Sequence, residues 1–194
     1  MSCLTSKMRV STQRGDVAVE TLETGDLVLT RDNGFQPVRH VLCKHLTGRY
    51  LLDNPHLRPV LVARDAFADN LPYADTMITA NSRLPVATST GGMLRRATEE
   101  LVAVKTMIDH DMIQQIDTIG TDYYLIQFDG HEVIAVNGFW LECFNTADTS
   151  LGAVGNAQRL EILEIFPECG TWGRTARPIV ARAQVRAGLL RRAR

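Results

Sequence analysis

The stretch LETGDLVLTRDNG, residues 22–34, contains a Gly-Asp turn, a short apolar run and an Asp-Asn-Gly turn. Asn and Gly tolerate the positive φ angles of tight turns, so the chain is expected to reverse near both ends of this stretch. The apolar run between the turns predicts a strand. The stretch therefore predicts a β-hairpin near the start of a mainly β protein.

Similar strand patterns, each bounded by turn residues, recur through about the first 145 residues. Asp32-Asn33-Gly34, Asp129-Gly130 and Asn137-Gly138 are predicted to be hairpin turns, because apolar residues flank each of them. The predicted strand segments are VAVETL (17–22), DLVLTRDNGFQPVRHVLCKHL (26–46), PVLVA (59–63), TMITA (76–80) and DYYLIQFDGHEVIAVNGFWLECF (122–144).

The last quarter of the chain is predicted to be helical and not strand-rich. The segment LGAVGNAQRLEILEIFPE, residues 151–168, has near-helical spacing of apolar residues, and Pro167 is placed to end the helix. We expect a β-domain over residues 1–148 and a helical extension over residues 149–194, with many short strands favouring a sheet that closes on itself.

An arginine-rich tail ends the chain. From Arg174 to Arg194 there are seven arginines and no acidic residue. Such a basic amphipathic segment could bind an acidic partner, nucleic acid or an anionic membrane surface, and a solvated terminal helix is the plainer interpretation. The tail has no interleaved aromatic residues for base stacking, so nucleic acid has no clear support and an unknown protein partner remains open.

The composition is that of an ordinary globular chain. It has 194 residues, 45% of them hydrophobic, and a formal net charge of -1. No apolar run is long enough for a transmembrane helix and the N-terminus lacks a signal-peptide core, so we expect a cytoplasmic protein. The four cysteines and five histidines show none of the common metal-ligand spacings, and no cofactor or metal is expected.

Five blocks of the sequence occur in a recognisable order. They are Cys3-Leu4-Thr5, TQRGDVAVETLETGDLVLTRDNGFQPV (12–38), NPHLRPV (54–60), TMITANSRLPV (76–86) and FDGHEVIAVNGFWLEC (128–143). The most distinctive motif is V-E-x-L-x-x-G-D-x-V after a leading cysteine. Together the blocks resemble a bacterial stand-alone subgroup of the Hint domains, the Hedgehog/intein autoprocessing fold, over about residues 3 to 166. The resemblance implies a compact β-core that brings the first and last core strands together.

The resemblance implies an N-to-S acyl shift, in which a cysteine attacks the preceding carbonyl and forms a thioester. It assigns that nucleophile to Cys3 and the threonine of a T-x-x-H segment to Thr79. It also places His131 and Cys143 near the nucleophile, so the four residues are predicted to converge. Each has a plainer interpretation as well: buried thiols for the cysteines, a hydrogen-bonded strand histidine and a β-branched strand residue.

Several departures from the family pattern predict impaired or lost activity. Ser82 stands where the T-x-x-H segment has its histidine, and a hydroxyl cannot replace an imidazolium as acid for the leaving nitrogen. Ser6-Lys7-Met8 replaces the usual P-G-T, and no His-Asn pair closes the core. Cleavage before Cys3 is expected to free at most Met1 and Ser2.

Three functions stay open at this point. The first is an autoprocessing domain with impaired or lost self-cleavage, and the second is a non-catalytic binding or structural module that retains the Hint fold. A third, an unrelated cysteine hydrolase, would need a histidine beside Cys3, and His131 is the histidine with a motif argument for that place.

Overall fold

The computed structural model describes residues 3–89, 97–143, 160–161 and 164–167, and strands dominate these residues. An α-helix, α1, spans Gly48–Asp53, and short 3-10 helices span Val19–Thr21, Pro55–Leu57 and Val104–Met107. The strands are β1 (Leu4–Thr5), β2 (Arg9–Thr12), β3 (Gly15–Ala18), β4 (Leu27–Thr30), β5 (Gly34–Pro37), β6 (His40–Thr47), β7 (Pro59–Val62), β8 (Thr76–Thr79), β9 (Arg83–Ser89), β10 (Ala97–Ala103), β11 (Ile113–Gln115), β12 (Gly120–Gln127), β13 (Glu132–Val136) and β14 (Phe139–Cys143).

The strands form two larger sheets and a separate hairpin. The first sheet, called sheet 1, has the order β11-β7-β8-β1-β12-β6. The second, called sheet 2, has the order β14-β13-β2-β4-β5, with β3 paired to β2. Strands β9 and β10 form the hairpin. The pairings between these strands are antiparallel, as expected for short strands joined by tight turns.

The first two strands belong to different sheets. Strand β1 lies between β8 and β12 in sheet 1, whereas β2 pairs with β3, β4 and β13 in sheet 2. The intervening turn is tight, and Lys7 adopts a φ of 72° there. The backbone N–H of Lys7 donates to both carboxylate oxygens of Glu20, at 3.1 and 3.0 Å. The turn thus fixes how the chain passes from one sheet to the other.

One apolar cluster holds the two sheets and the hairpin together. Its buried members come from sheet 1, from sheet 2 and from β9 and β10, so these three units share one core. Burying each large aliphatic side chain contributes roughly 1.5–3 kcal/mol. Representative members are Leu4, Val60 and Ile126 from sheet 1, Val10, Val28, Ile134 and Leu141 from sheet 2, and Leu84 and Val102 from the hairpin.

Two of the three predicted hairpin turns are confirmed and one is wrong. Asp32-Asn33-Gly34 lies at the reversal between β4 and β5, and Asn137-Gly138 joins β13 to β14. Asp129-Gly130 also lies at a turn, but β12 pairs within sheet 1 and β13 within sheet 2. It is therefore a crossover between sheets. Local turn chemistry predicts that the chain changes direction, but it does not predict whether the two flanking strands pair with each other. That pairing depends on strands elsewhere in the chain.

The turn at Asn137 also ties the two sheets together. Asn137 and Gly138 have φ angles of 45° and 86°, as a two-residue turn with positive φ at both positions requires. The side-chain oxygen of Asn137 accepts from the Arg9 N–H at 2.8 Å, and its amide donates to the Thr76 hydroxyl at 2.8 Å. The 3% exposed side chain thus bridges β2 and β8.

Other predicted elements are confirmed in part. The segment at residues 17–22 is strand only to Ala18 and continues as a 3-10 helix. Residues 160–161 and 164–165 are helical, and Phe166 and Pro167 are not, in line with a helix that ends near the proline. The arginine-rich tail and most of the predicted extension over residues 149–194 lie outside the described residues, and the domain division stays a prediction.

The described helices are short. None of those helices combines the length and the apolar character that crossing a bilayer demands.

Replacing Lys7 by glycine is expected to stabilise the protein. A residue with a side chain is strained by about 1–2 kcal/mol at a φ near +70°, and glycine relieves that strain. Glycine also loses more conformational entropy on folding, which offsets part of the stabilisation. Lys7→Gly should raise the free energy of unfolding by about 0.5–1 kcal/mol in urea denaturation.

Lys44→Gly is the matched control, because it removes the same charge from an exposed position within strand β6. That variant should be destabilised by about 0.5–1 kcal/mol. If both substitutions changed stability in the same direction, the turn at Lys7 would not be strained as described.

Candidate functional site

Cys3 is fully buried immediately before β1, and Thr79 holds its backbone. The Cys3 N–H donates to the Thr79 hydroxyl at 3.3 Å, and the Thr79 N–H donates to the Cys3 carbonyl at 3.4 Å. The pairing of β1 with β8 brings these residues together although 76 positions separate them. The nitrogen of the peptide bond that precedes Cys3 is thus held by a threonine side chain.

A second hydroxyl lies beside Thr79. The chain turns after β8, with the Ser82 N–H donating to the Thr79 carbonyl at 2.9 Å. This turn brings the hydroxyl of Ser82 to 3.0 Å from that of Thr79. Both side chains are fully buried. The position where the T-x-x-H pattern has histidine therefore lies one hydrogen bond from the group that holds the Cys3 nitrogen.

Cys3 also packs among apolar side chains. Cys3 belongs to a second core cluster, called the Cys3 cluster, with two residues from near the end of the described chain. The Tyr123 hydroxyl at its edge donates to the Leu57 carbonyl at 2.7 Å. Burial and the nearby Cys3 and Glu161 raise the pKa of Tyr123, so its hydroxyl stays protonated. The other members are Leu46, Leu51, Leu57, Tyr123, Leu125, Ile165 and Phe166.

His131 lies in a buried charged network with Glu142 and Arg83. The His131 Nε2 is 2.8 Å from Glu142 Oε1, and Arg83 Nη1 is 3.6 Å from the same oxygen. The side chains of His131 and Glu142 are 0% exposed and that of Arg83 is 1% exposed. Arg83 directly follows Ser82, so the chain itself joins this charged network to the hydroxyls near Cys3.

The charges of this network depend on one another. Burial alone would raise the pKa of Glu142, but the hydrogen bond and charge of His131 and the charge of Arg83 lower it below the usual value. Burial lowers the pKa of Arg83, and Glu142 opposes that change. Glu142 is therefore a buried carboxylate whose ionisation is maintained by its two neighbours.

Cys143 is the last residue of β14 and lies opposite Glu132. It is a free thiol that packs in the main core cluster, whereas Cys3 belongs to the Cys3 cluster. Burial, together with Glu142 and Glu132, raises the pKa of Cys143 well above its usual value. Its thiol is thus held in the neutral form, which is the poorer nucleophile.

The predicted site residues fall into two neighbouring groups. Cys3 and Thr79 are joined by hydrogen bonds, whereas His131 directly precedes β13 and Cys143 ends β14, the two strands of one hairpin. Arg83 and Glu142, which connect these groups, were not identified from the sequence. A charged residue inside the apolar segments RLPVA and FWLEC is the signal that could have found them, because buried charges are rare unless they are paired.

Comparison with known proteins identifies one matching family description. The family model described as Hint domain matches residues 2–148, which is more than half of the chain. Among the curated proteins none matches the sequence.

Solved structures of related shape are inteins and an intein-like domain. The gp41-1 intein is 13% identical with a TM-score of 0.44, covering 74% of this chain and 99% of that chain. The bacterial intein-like domain from Clostridium thermocellum is 14% identical with a TM-score of 0.42, covering 74% and 99%. A splice-inactive variant of the AceL NrdHF class 3 split intein is 10% identical with a TM-score of 0.41, covering 73% and 97%.

Glu142→Ala tests the buried charged network. The substitution removes the buried carboxylate that lies against Arg83 and His131, and breaking a buried ion pair typically costs about 3–5 kcal/mol. The free energy of unfolding, measured in urea, should fall by that amount. Asp53→Ala is the control, because its partner Arg49 is 84% exposed, and its cost should stay below about 0.5 kcal/mol. A loss for Glu142→Ala as small as that of the control would contradict the coupling described above.

Proposed function

Because the chain belongs to the Hint domain family, we propose that it is an autoprocessing-type domain whose reaction site is Cys3 and whose self-cleavage is impaired or lost. The hydrogen bond from the Cys3 N–H to the Thr79 hydroxyl is the observation that carries this proposal. It fixes the nitrogen of the one peptide bond that a cysteine thiol at this position could rearrange.

The reaction in question is an intramolecular acyl transfer. The Cys3 sulfur attacks the carbonyl carbon of the preceding residue and gives up its proton. The bond from that carbon to the Cys3 nitrogen then breaks, and the nitrogen takes a proton to leave as an amine. Holding the nitrogen in place lowers the entropic cost of the attack, which is the contribution we assign to Thr79.

The step that lacks support is protonation of the leaving nitrogen. Ser82 lies 3.0 Å from Thr79 in the position where the family pattern has histidine, and a serine hydroxyl is a far weaker acid than an imidazolium. His131 has its Nε2 bound to Glu142 at 2.8 Å, which supports a structural assignment for this side of its ring. Losing a general acid typically costs about 10²- to 10⁴-fold in rate.

A binding or structural module is the second candidate function. The observation that favours it is the complete burial of Cys3 in an apolar cluster that includes Phe166. A thiol in such surroundings serves as a small apolar side chain. In this alternative the Hint fold serves to present a binding surface, and the network around Cys3 contributes only to packing.

Restoring the histidine is the experiment that separates the two candidates. A folded reporter protein is fused in place of Met1 and Ser2, so that cleavage before Cys3 releases a fragment visible on a gel. Dithiothreitol intercepts a thioester, so Ser82→His should increase thiol-dependent cleavage by at least about 10²-fold. Ser82→Ala, which removes the hydroxyl without adding an acid, should not increase cleavage.

The cleavage must also depend on the sulfur. Cys3→Ala in the Ser82→His fusion should abolish the fragment, because no thioester can form. Equal, negligible cleavage in all variants, and in the same variants carrying Phe166→Ala to open the apolar cluster around Cys3, would overturn the acyl-shift assignment and leave the binding module, provided that circular dichroism verifies folding.

A further inference from the structure

A segment far from the β-core in sequence is buried beside Cys3. Ile165 and Phe166 are 1% and 0% exposed and belong to the same apolar cluster as Cys3. Glu161, four residues before Ile165, is 2% exposed, whereas Leu160 is 67% exposed. One face of this segment is therefore docked on the domain and the other faces solvent. The cap is defined as residues 160–161 and 164–166.

Two polar contacts fix the position of the cap. Asn81 donates from its side-chain amide to Glu161 at 3.0 Å, and His56 Nε2 lies 2.9 Å from a carboxylate oxygen of Glu164. Asn81 lies in the turn between Thr79 and Ser82, so the cap is bound to the segment that holds the Cys3 nitrogen. These contacts fix the cap beside the turn between Thr79 and Ser82 and beside His56, whose neighbour Leu57 belongs to the Cys3 cluster.

We propose that the cap is an autoinhibitory element, which shields the Cys3 thiol while it is docked and exposes that thiol when it is released. A thiol buried in an apolar cluster is not accessible to an external thiol or amine, so transfer to any acyl acceptor requires that the cap move. That consequence rests on the acyl-shift assignment for Cys3. The shielding itself rests only on burial.

The polar composition of the docked face favours reversible docking. Burial raises the pKa of Glu161 above its usual value, and the hydrogen bond from Asn81 opposes this change only in part. A carboxylate that is better solvated in water than in the docked state opposes docking, while Ile165 and Phe166 favour it. Opposing contributions of this kind allow release without unfolding of the β-core.

Alkylation by N-ethylmaleimide tests the cap in the full chain. Peptide mass spectrometry reads each cysteine separately, with exposed Cys43 as the fast reference and Cys143, buried in the main core, as the reporter of global unfolding. Phe166→Ala should increase the rate at Cys3 roughly tenfold or more, with the rate at Cys143 unchanged. Leu160→Ala, on the solvent-facing side of the cap, should change neither rate.

Three outcomes would overturn the proposal. In the wild-type chain, alkylation of Cys3 as fast as that of Cys43 would mean that the cap does not shield the thiol. Equal acceleration of Cys3 and Cys143 in Phe166→Ala would mean that the thiol is exposed only by unfolding. If Phe166→Ala does not fold, the milder Ile165→Val replaces it, and an unchanged Cys3 rate there would also contradict the proposal.

The labelling result is independent of the cleavage result. Maleimide reacts with any accessible thiol, so the test needs no acyl shift. A chain in which Ser82→His restores no cleavage can still show Cys3 protected by the cap, and a chain with restored cleavage can still show Cys3 unprotected.

Discussion

The crossing of the chain from β1 to β2 is the constraint on which the arrangement of the site depends. Three residues separate two strands that belong to different sheets, so the N-terminal segment is a member of both. Strand β1 is too short to stand alone, and its neighbours β8 and β12 hold it from both sides. Strand β8 brings Thr79 to Cys3, and β12 brings Tyr123 into the Cys3 cluster. The site is thus built by the strands that anchor the start of the chain.

Strands and tight turns could be predicted where their signal lies within a few neighbouring residues. Strand runs near β4, β7, β8 and β12 to β14 were identifiable from apolar residues between turn residues, and the Asn137-Gly138 turn from its chemistry. Asp129-Gly130 shows the limit of this reasoning. Its residues specify a turn, but the pairing partners of β12 and β13 lie elsewhere in the chain and are set by burial of the whole domain.

The candidate site was less accessible to sequence reasoning. The proximity of Cys3 and Thr79 was expected from a family resemblance, and their separation of 76 residues carries no signal of its own. Lys7, at a φ of 72°, occupies the central position of Ser6-Lys7-Met8, where the family pattern P-G-T has glycine. The backbone path is therefore the one that glycine would favour. Docking of the cap depends on tertiary burial, which periodicity along a helix does not reveal.

The buried charged network begins at Arg83, directly after Ser82, which stands at the position where a histidine was expected. Arg83, Glu142 and His131 are mutually dependent, since burial makes each costly without its partners. Ser82 is neutral and small, and its hydroxyl is satisfied locally by Thr79. Residue 82 is therefore the position at which we propose that acid chemistry can be changed, whereas the adjacent Arg83 belongs to the buried charged network that stabilises the fold. Chemistry and stability are separable at adjacent positions of one segment.

The structure of the Asn137-Gly138 turn also affects how readily Asn137 can deamidate. In a flexible Asn-Gly sequence, the glycine nitrogen attacks the asparagine side-chain carbonyl, ammonia leaves, and hydrolysis of the ring yields aspartate or isoaspartate. Here hydrogen bonds to Arg9 and Thr76 hold that side chain in place, so the attack requires the hairpin to open. An isoaspartate lengthens the backbone by one methylene, which a two-residue turn cannot absorb. Asn137 can therefore deamidate only while the hairpin is open, and the folded turn slows this irreversible reaction.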